Sequence, residues 1–73
     1  MDQTTVLDKF TAPIGKQEIE LHQVDYEAGG MSMLRIRIRE RSRFTVFDID
    51  AVTAAHWGKA LSAWARAQPG GEG

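Results

Sequence analysis

Between Met33 and Arg39, Leu34, Ile36 and Ile38 alternate with Arg35, Arg37 and Arg39. No other stretch limits the fold of this chain as strongly. Successive side chains of a β-strand point to opposite faces, so this segment is aliphatic on one side and cationic on the other. The strand is read from Met31 to Arg39, with Met33 starting on the arginine side. Upstream, Gln17 to Tyr26 reads as a second strand in which Ile19 and Leu21 alternate with Glu18, Glu20 and His22. Val24 and Tyr26 fall out of phase, which a bulge or the strand's end near Gln23 would explain.

The adjacent glycines of Glu27-Ala28-Gly29-Gly30 can take positive φ and close a hairpin that pairs Tyr26 with Met31. In that register Ile19 lies opposite Ile38 and Leu21 opposite Ile36, Glu18 faces Arg39, Glu20 faces Arg37, and Arg35 faces only His22. After a short turn at Glu40-Arg41-Ser42, Arg43 to Ile49 forms a strand rich in aromatic and β-branched residues. Phe44 and Val46 point away from Thr45, Phe47 and Ile49, so both of its faces carry apolar groups.

Asp50 has the character of a helix N-cap, its carboxylate accepting first-turn N–H groups. Ala51 to Gln68 is then helical, with Trp57, Leu61 and Trp64 in one apolar stripe at i, i+4 and i+7. Pro69-Gly70-Gly71 stops the helix, and the tail from Gly70 to Gly73 is expected to be disordered. Val6, Leu7, Phe10 and Ile14 are too many apolar groups for a free tail, so residues 1 to 16 are expected to pack on the domain, as an edge strand before Pro13. The expected fold is α+β: a three- to four-stranded antiparallel sheet followed by one C-terminal helix, (β)βββα, in a single domain over residues 1 to 69.

At 73 residues such a domain hides only about 60% of the surface of its unfolded chain. With no cysteine, neither disulfides nor thiolate metal sites supplement the core, and dimerisation is the remaining device. No apolar run is long enough to span a bilayer, so a cytoplasmic location and no membrane partner are expected. The net charge of −1 is unevenly spread. Residues 1 to 30 carry six acids against two lysines, whereas residues 34 to 43 carry five arginines against Glu40.

Two readings compete for that basic segment. Arg37 and Arg39 can be neutralised by Glu20 and Glu18 in exposed pairs worth at most about 1 kcal/mol each. Arg35, Arg41 and Arg43 remain without an assigned acid, beside Phe44 and Phe47. Rings interleaved with arginines suit single-stranded nucleic acid, where bases stack and cations follow the phosphates. They suit a protein interface equally, and the near-neutral total charge favours protein.

Phe10 with Ile14-Gly15-Lys16, a strand ending Asp25-Tyr26, a glycine turn, a strand ending Ile38-Arg39-Glu40 and a strand running into a capped helix with Trp57 and Leu61 resemble the PC4-like family of single-stranded-DNA-binding domains. The resemblance spans residues 10 to 68. It implies a dimer that involves the helix of Trp57, Leu61 and Trp64. It also implies DNA binding through Lys16, Arg35, Arg37 and Arg39 with an aromatic of the last strand. This chain is less basic than such domains, and its loop before the last strand is shorter.

Chemistry is not expected. His22 and His56 lie on different elements without metal-ligand spacing, and although Asp48-x-Asp50 could hold a divalent cation, Asp50 is more simply a helix cap. Glu18 and Glu20 share an open strand face with no desolvated pocket, and no serine or glycine sits in a nucleophile or phosphate-loop context. The chain is therefore read as a non-catalytic accessory module without cofactor or metal. It is expected to act as a homodimer through protein contacts, with single-stranded nucleic-acid binding as the alternative.

Overall fold

A computed structural model of the chain describes residues 2–27 and 29–71. Four strands and one helix follow in the order β1 (Gln3–Thr11), β2 (Glu18–Asp25), β3 (Met33–Glu40), β4 (Arg43–Ile49) and α1 (Ala51–Arg66). The strands form one antiparallel sheet in the order β1-β2-β3-β4. The α+β layout is thus the one the alternation called for, and the N-terminal segment is its edge strand.

The central register is the expected one: Ile19 pairs with Ile38, Leu21 with Ile36, Glu20 with Arg37 and Glu18 with Arg39. The hairpin mouth is wider, however, because the ladder ends at Val24 and Met33 instead of at Tyr26 and Met31. Side chains hold that mouth: the Ser32 hydroxyl and the Gln23 amide both donate to Asp25. Those donors, Ser32 above all, hold the Asp25 carboxyl below the ordinary range. Gly29, with φ of 77°, takes the left-handed turn position within the loop, and Ala28 lies outside the described residues.

The phase change at Gln23 has a different cause from the one expected. β2 is regular there, and Val24 belongs to the charged face, where it is 2% exposed. The bulge lies in β1, between Val6 and Asp8. Leu7 and Phe10 are three residues apart and cannot share a face of a regular strand, so the extra residue brings Leu7 to the aliphatic side, beside Gln23, Leu34 and Ala51.

The helix ends at Arg66, two residues earlier than the alanine-rich pattern suggests. Asp50 is its N-cap residue in extended conformation, but its carboxylate makes no hydrogen bond to a first-turn N–H and accepts the Thr53 hydroxyl instead. Gly70, at φ of 83°, turns the chain back so that the Gly71 N–H donates to the Gln68 carbonyl at 3.2 Å. The start of the tail thus folds back on the helix end, and a side chain at Gly71 would strike the Ala65 carbonyl. Residues 72 and 73 lie outside the described residues.

Little is buried. Among the described residues Val24 and Ile36 are the buried hydrophobic side chains, and α1 buries none. The Cα radius of gyration is 14.2 Å, against about 11 Å for a compact chain of this length.

Candidate functional site

The aliphatic face carries Phe10, Ile19, Leu21, Leu34, Ile36, Ile38, Phe47 and Ile49 by register. The helix lies over this face and meets the sheet mainly along β3, with one ring contact to β4, where Phe47 and Trp57 lie 6.0 Å apart at 34°. Between helix and sheet runs a cleft of about 480 Å³ walled almost wholly by apolar atoms. On the helix side its walls are Ala54, Trp57, Gly58 and Leu61. Trp57 and Leu61 thus point toward the sheet, as their spacing suggests, but the helix stands off and they are not a protomer core. Leu61 remains 58% exposed and Trp64 69%.

The opposite face is charged and, at one end, closed. Arg35 donates from Nε to Asp48 Oδ1 at 2.8 Å and from Nη2 to Oδ2 at 3.0 Å, a fork that matches the carboxylate. The Tyr26 hydroxyl reaches across β3 to the same carboxylate at 3.3 Å. Arg35 therefore carries no spare charge, contrary to the reading that left it facing only His22. The Arg35 hydrogen bond holds the Asp48 carboxyl below its ordinary range, while burial and then the Asp48 charge push the Tyr26 phenol up. Asp48 was the residue missed. Its signal lay in the two-residue turn Arg41-Ser42, since Glu40 opposite Arg43 carries the ladder back to Arg35 opposite Asp48.

Glu20 lies opposite Arg37, but its hydrogen bond goes to His22 on the same strand face, 2.9 Å away, which lowers the Glu20 pKa. Arg39 pairs with Glu18 as expected. Arg37 is left over Phe44, its guanidinium carbon 5.8 Å from the ring centre, with Val46 exposed next along β4. Phe47, grouped with these by sequence, lies on the other face. The basic segment is thus divided: Arg35 and Arg39 are paired, and Arg37 and Phe44 form an open patch. Lys16, Arg41 and Arg43 gather at the turn end of the sheet.

Among the described residues no three His, Asp or Glu side chains converge as metal ligands, and no helix is long and apolar enough to cross a membrane. No curated protein and no solved structure matches the chain. A model for a family of unknown function, DUF6967, matches residues 1–67, and the chain belongs to that family.

Proposed function

We propose that this protein is a non-catalytic binding module that works through protein contacts, the first of them with a second copy of itself across the aliphatic cleft. The observation that carries this reading is the surface it leaves uncovered. The protomer exposes 5923 Å², whereas a folded monomer of 8.1 kDa exposes about 4,500 Å². The excess of about 1,400 Å² on each copy amounts to about 2,800 Å² in a pair, within the range of obligate homodimers. The side chains in and around the cleft fit the same role, because Phe10, Trp57 and Leu61 of its lining, with Phe47 and Trp64 outside it, are large apolar groups that a lone chain keeps from water only in part. In the pair, the charged faces remain outside for further partners.

Sedimentation equilibrium tests it. A species of about twice 8.1 kDa is expected at micromolar concentration. A monomer that persists at a hundredfold higher concentration would overturn the self-association and leave the cleft to another protein.

The open patch of Arg37, Phe44 and Val46 supports a second reading, single-stranded nucleic acid on the charged face, and the resemblance to PC4-like domains supports it at the level of layout. It requires oligonucleotide affinity that falls steeply with salt and disappears in Arg37→Ala. No binding at low salt removes this reading.

A further inference from the structure

We propose that the cleft between the β1–β2 and β3–β4 turns binds a phosphate-class oxyanion through Lys16, Arg41 and Arg43. The two turns lie side by side at one end of the sheet and enclose an open space of about 630 Å³. Three cations face one carboxylate there, Glu40, for a formal surplus of two positive charges. Glu40 already accepts the Gln17 amide at 3.1 Å, a bond that ties the two turns together.

The backbone supplies the second argument. Among the described residues, two that are not glycine take positive φ: Lys16 at 61° and Arg41 at 59°. Both line this cleft. Arg41 and Ser42 form a two-residue hairpin loop with the φ signs of a II′ turn, whose first central position is ordinarily glycine. Lys16 ends a wider turn, closed by its N–H to the Ala12 carbonyl at 2.9 Å and by the Ala12 N–H to the Gln17 carbonyl at 2.8 Å.

A glycine is available in that wider turn, one place earlier, and it serves another purpose. A side chain at Gly15 would push aside the flexible Gln17 amide and so break its bond to Glu40. In each turn, then, a cation occupies the position where glycine would be free of strain. Folding alone gives no reason for that choice, whereas a ligand that needs both charges at one place does. Guanidinium groups match phosphate oxygens in a planar fork, and lysine adds a mobile point charge. The space exceeds one phosphate, so it also admits the group that bears it.

This site is separate from the aliphatic cleft, and its test does not depend on the oligomeric state. The probe is inorganic phosphate, titrated into the ¹⁵N-labelled protein against sodium chloride at equal ionic strength. Saturable shifts are expected at the amides of Gly15, Lys16, Arg41, Ser42 and Arg43. Arg41→Gly and Lys16→Gly should each weaken that binding at least tenfold while raising the Tm by several degrees. The gain in Tm distinguishes a charge kept for a ligand from one kept for the turn. Shifts that chloride reproduces, binding unchanged in both variants, or a fall in Tm in both would overturn the site. A second arm uses a ten-residue oligothymidylate without terminal phosphate. Tenfold tighter binding at the same amides assigns the oxyanion to a polynucleotide backbone, and binding no tighter than that of phosphate assigns it to a small phosphate compound.

Discussion

On the charged face, Arg35, Asp48 and Tyr26 join side chains from three parts of the sheet, and Val24 beside them is 2% exposed. On the aliphatic face, whose cleft is walled almost wholly by apolar atoms, Phe10, Phe47 and Leu61 stay exposed. At the Arg35 end the polar face is therefore closed by its own side chains, whereas the cleft is not. Hydrogen-bonding groups on neighbouring strands can satisfy one another within a single layer, because the ladder brings them within reach. Apolar groups need a second layer of matching area. One helix of 16 residues, standing off a four-stranded sheet, does not supply it.

The sharpest way to break this comparison is to truncate the exposed apolar stripe of the helix. If a second copy covers it, Leu61→Ala and Trp64→Ala each cost about 2–5 kcal/mol in denaturant unfolding and shift the sedimenting species toward the protomer. If nothing covers it, surface substitutions like these change stability by no more than about 0.5 kcal/mol. The stability should also rise with protein concentration, as binding to the folded state requires.

On the charged face the expected effects are smaller. Asp48→Ala removes the acceptor of both Arg35 and Tyr26, and with Arg35 about a third open to solvent the cost is about 1 kcal/mol. The same variant should bring the Tyr26 phenol back toward its ordinary range, measured by ultraviolet titration, since the Asp48 charge and hydrogen bond help to raise it. A Tyr26 titration unchanged by the substitution would show that the phenol does not reach that carboxylate.

A pH scan sharpens the contrast further. The carboxyls of Glu20, Asp25 and Asp48 titrate below their ordinary values in the folded chain, held down chiefly by His22, Ser32 and Arg35 respectively. Folding thus favours their ionised forms. Their contribution is fully present above the ordinary carboxylate range, roughly pH 5, and is lost as pH falls through the lower folded values. Urea midpoints should decline over that acidic window, and by less in Asp48→Ala. The smallest effect is expected for Arg37→Ala, within about 0.5 kcal/mol of the parent, because its ring contact is exposed. A larger loss would mean that the open patch is part of the fold.

Much of this comparison was legible in the residues. The alternation of Leu34, Ile36 and Ile38 with the arginines assigns each to a face, and two glycines between the strands set the central register without reference to anything distant. The short turn at Arg41-Ser42 held the partner of Arg35 as well, although the spacing of Asp48 and Asp50 points first to a cation. The bulge that brings Leu7 to the aliphatic side was not legible, because an extra residue in an edge strand leaves no periodic mark when the segment is short. Positive φ at Lys16 and Arg41 was hidden for a related reason: neither residue type announces a left-handed conformation as glycine does.

The central register and the two characters of the sheet follow from the chain's own periodicity, because side-chain direction in a strand is local and alternates with every residue. How far the helix stands from the sheet is a property of tertiary packing. It depends on how side chains from five elements fit together in space, and no local pattern encodes that fit. The tertiary structure alone therefore decided that the stripe of Trp57, Leu61 and Trp64 is left open, and that Lys16, Arg41 and Arg43 from two separate turns come to line one cleft.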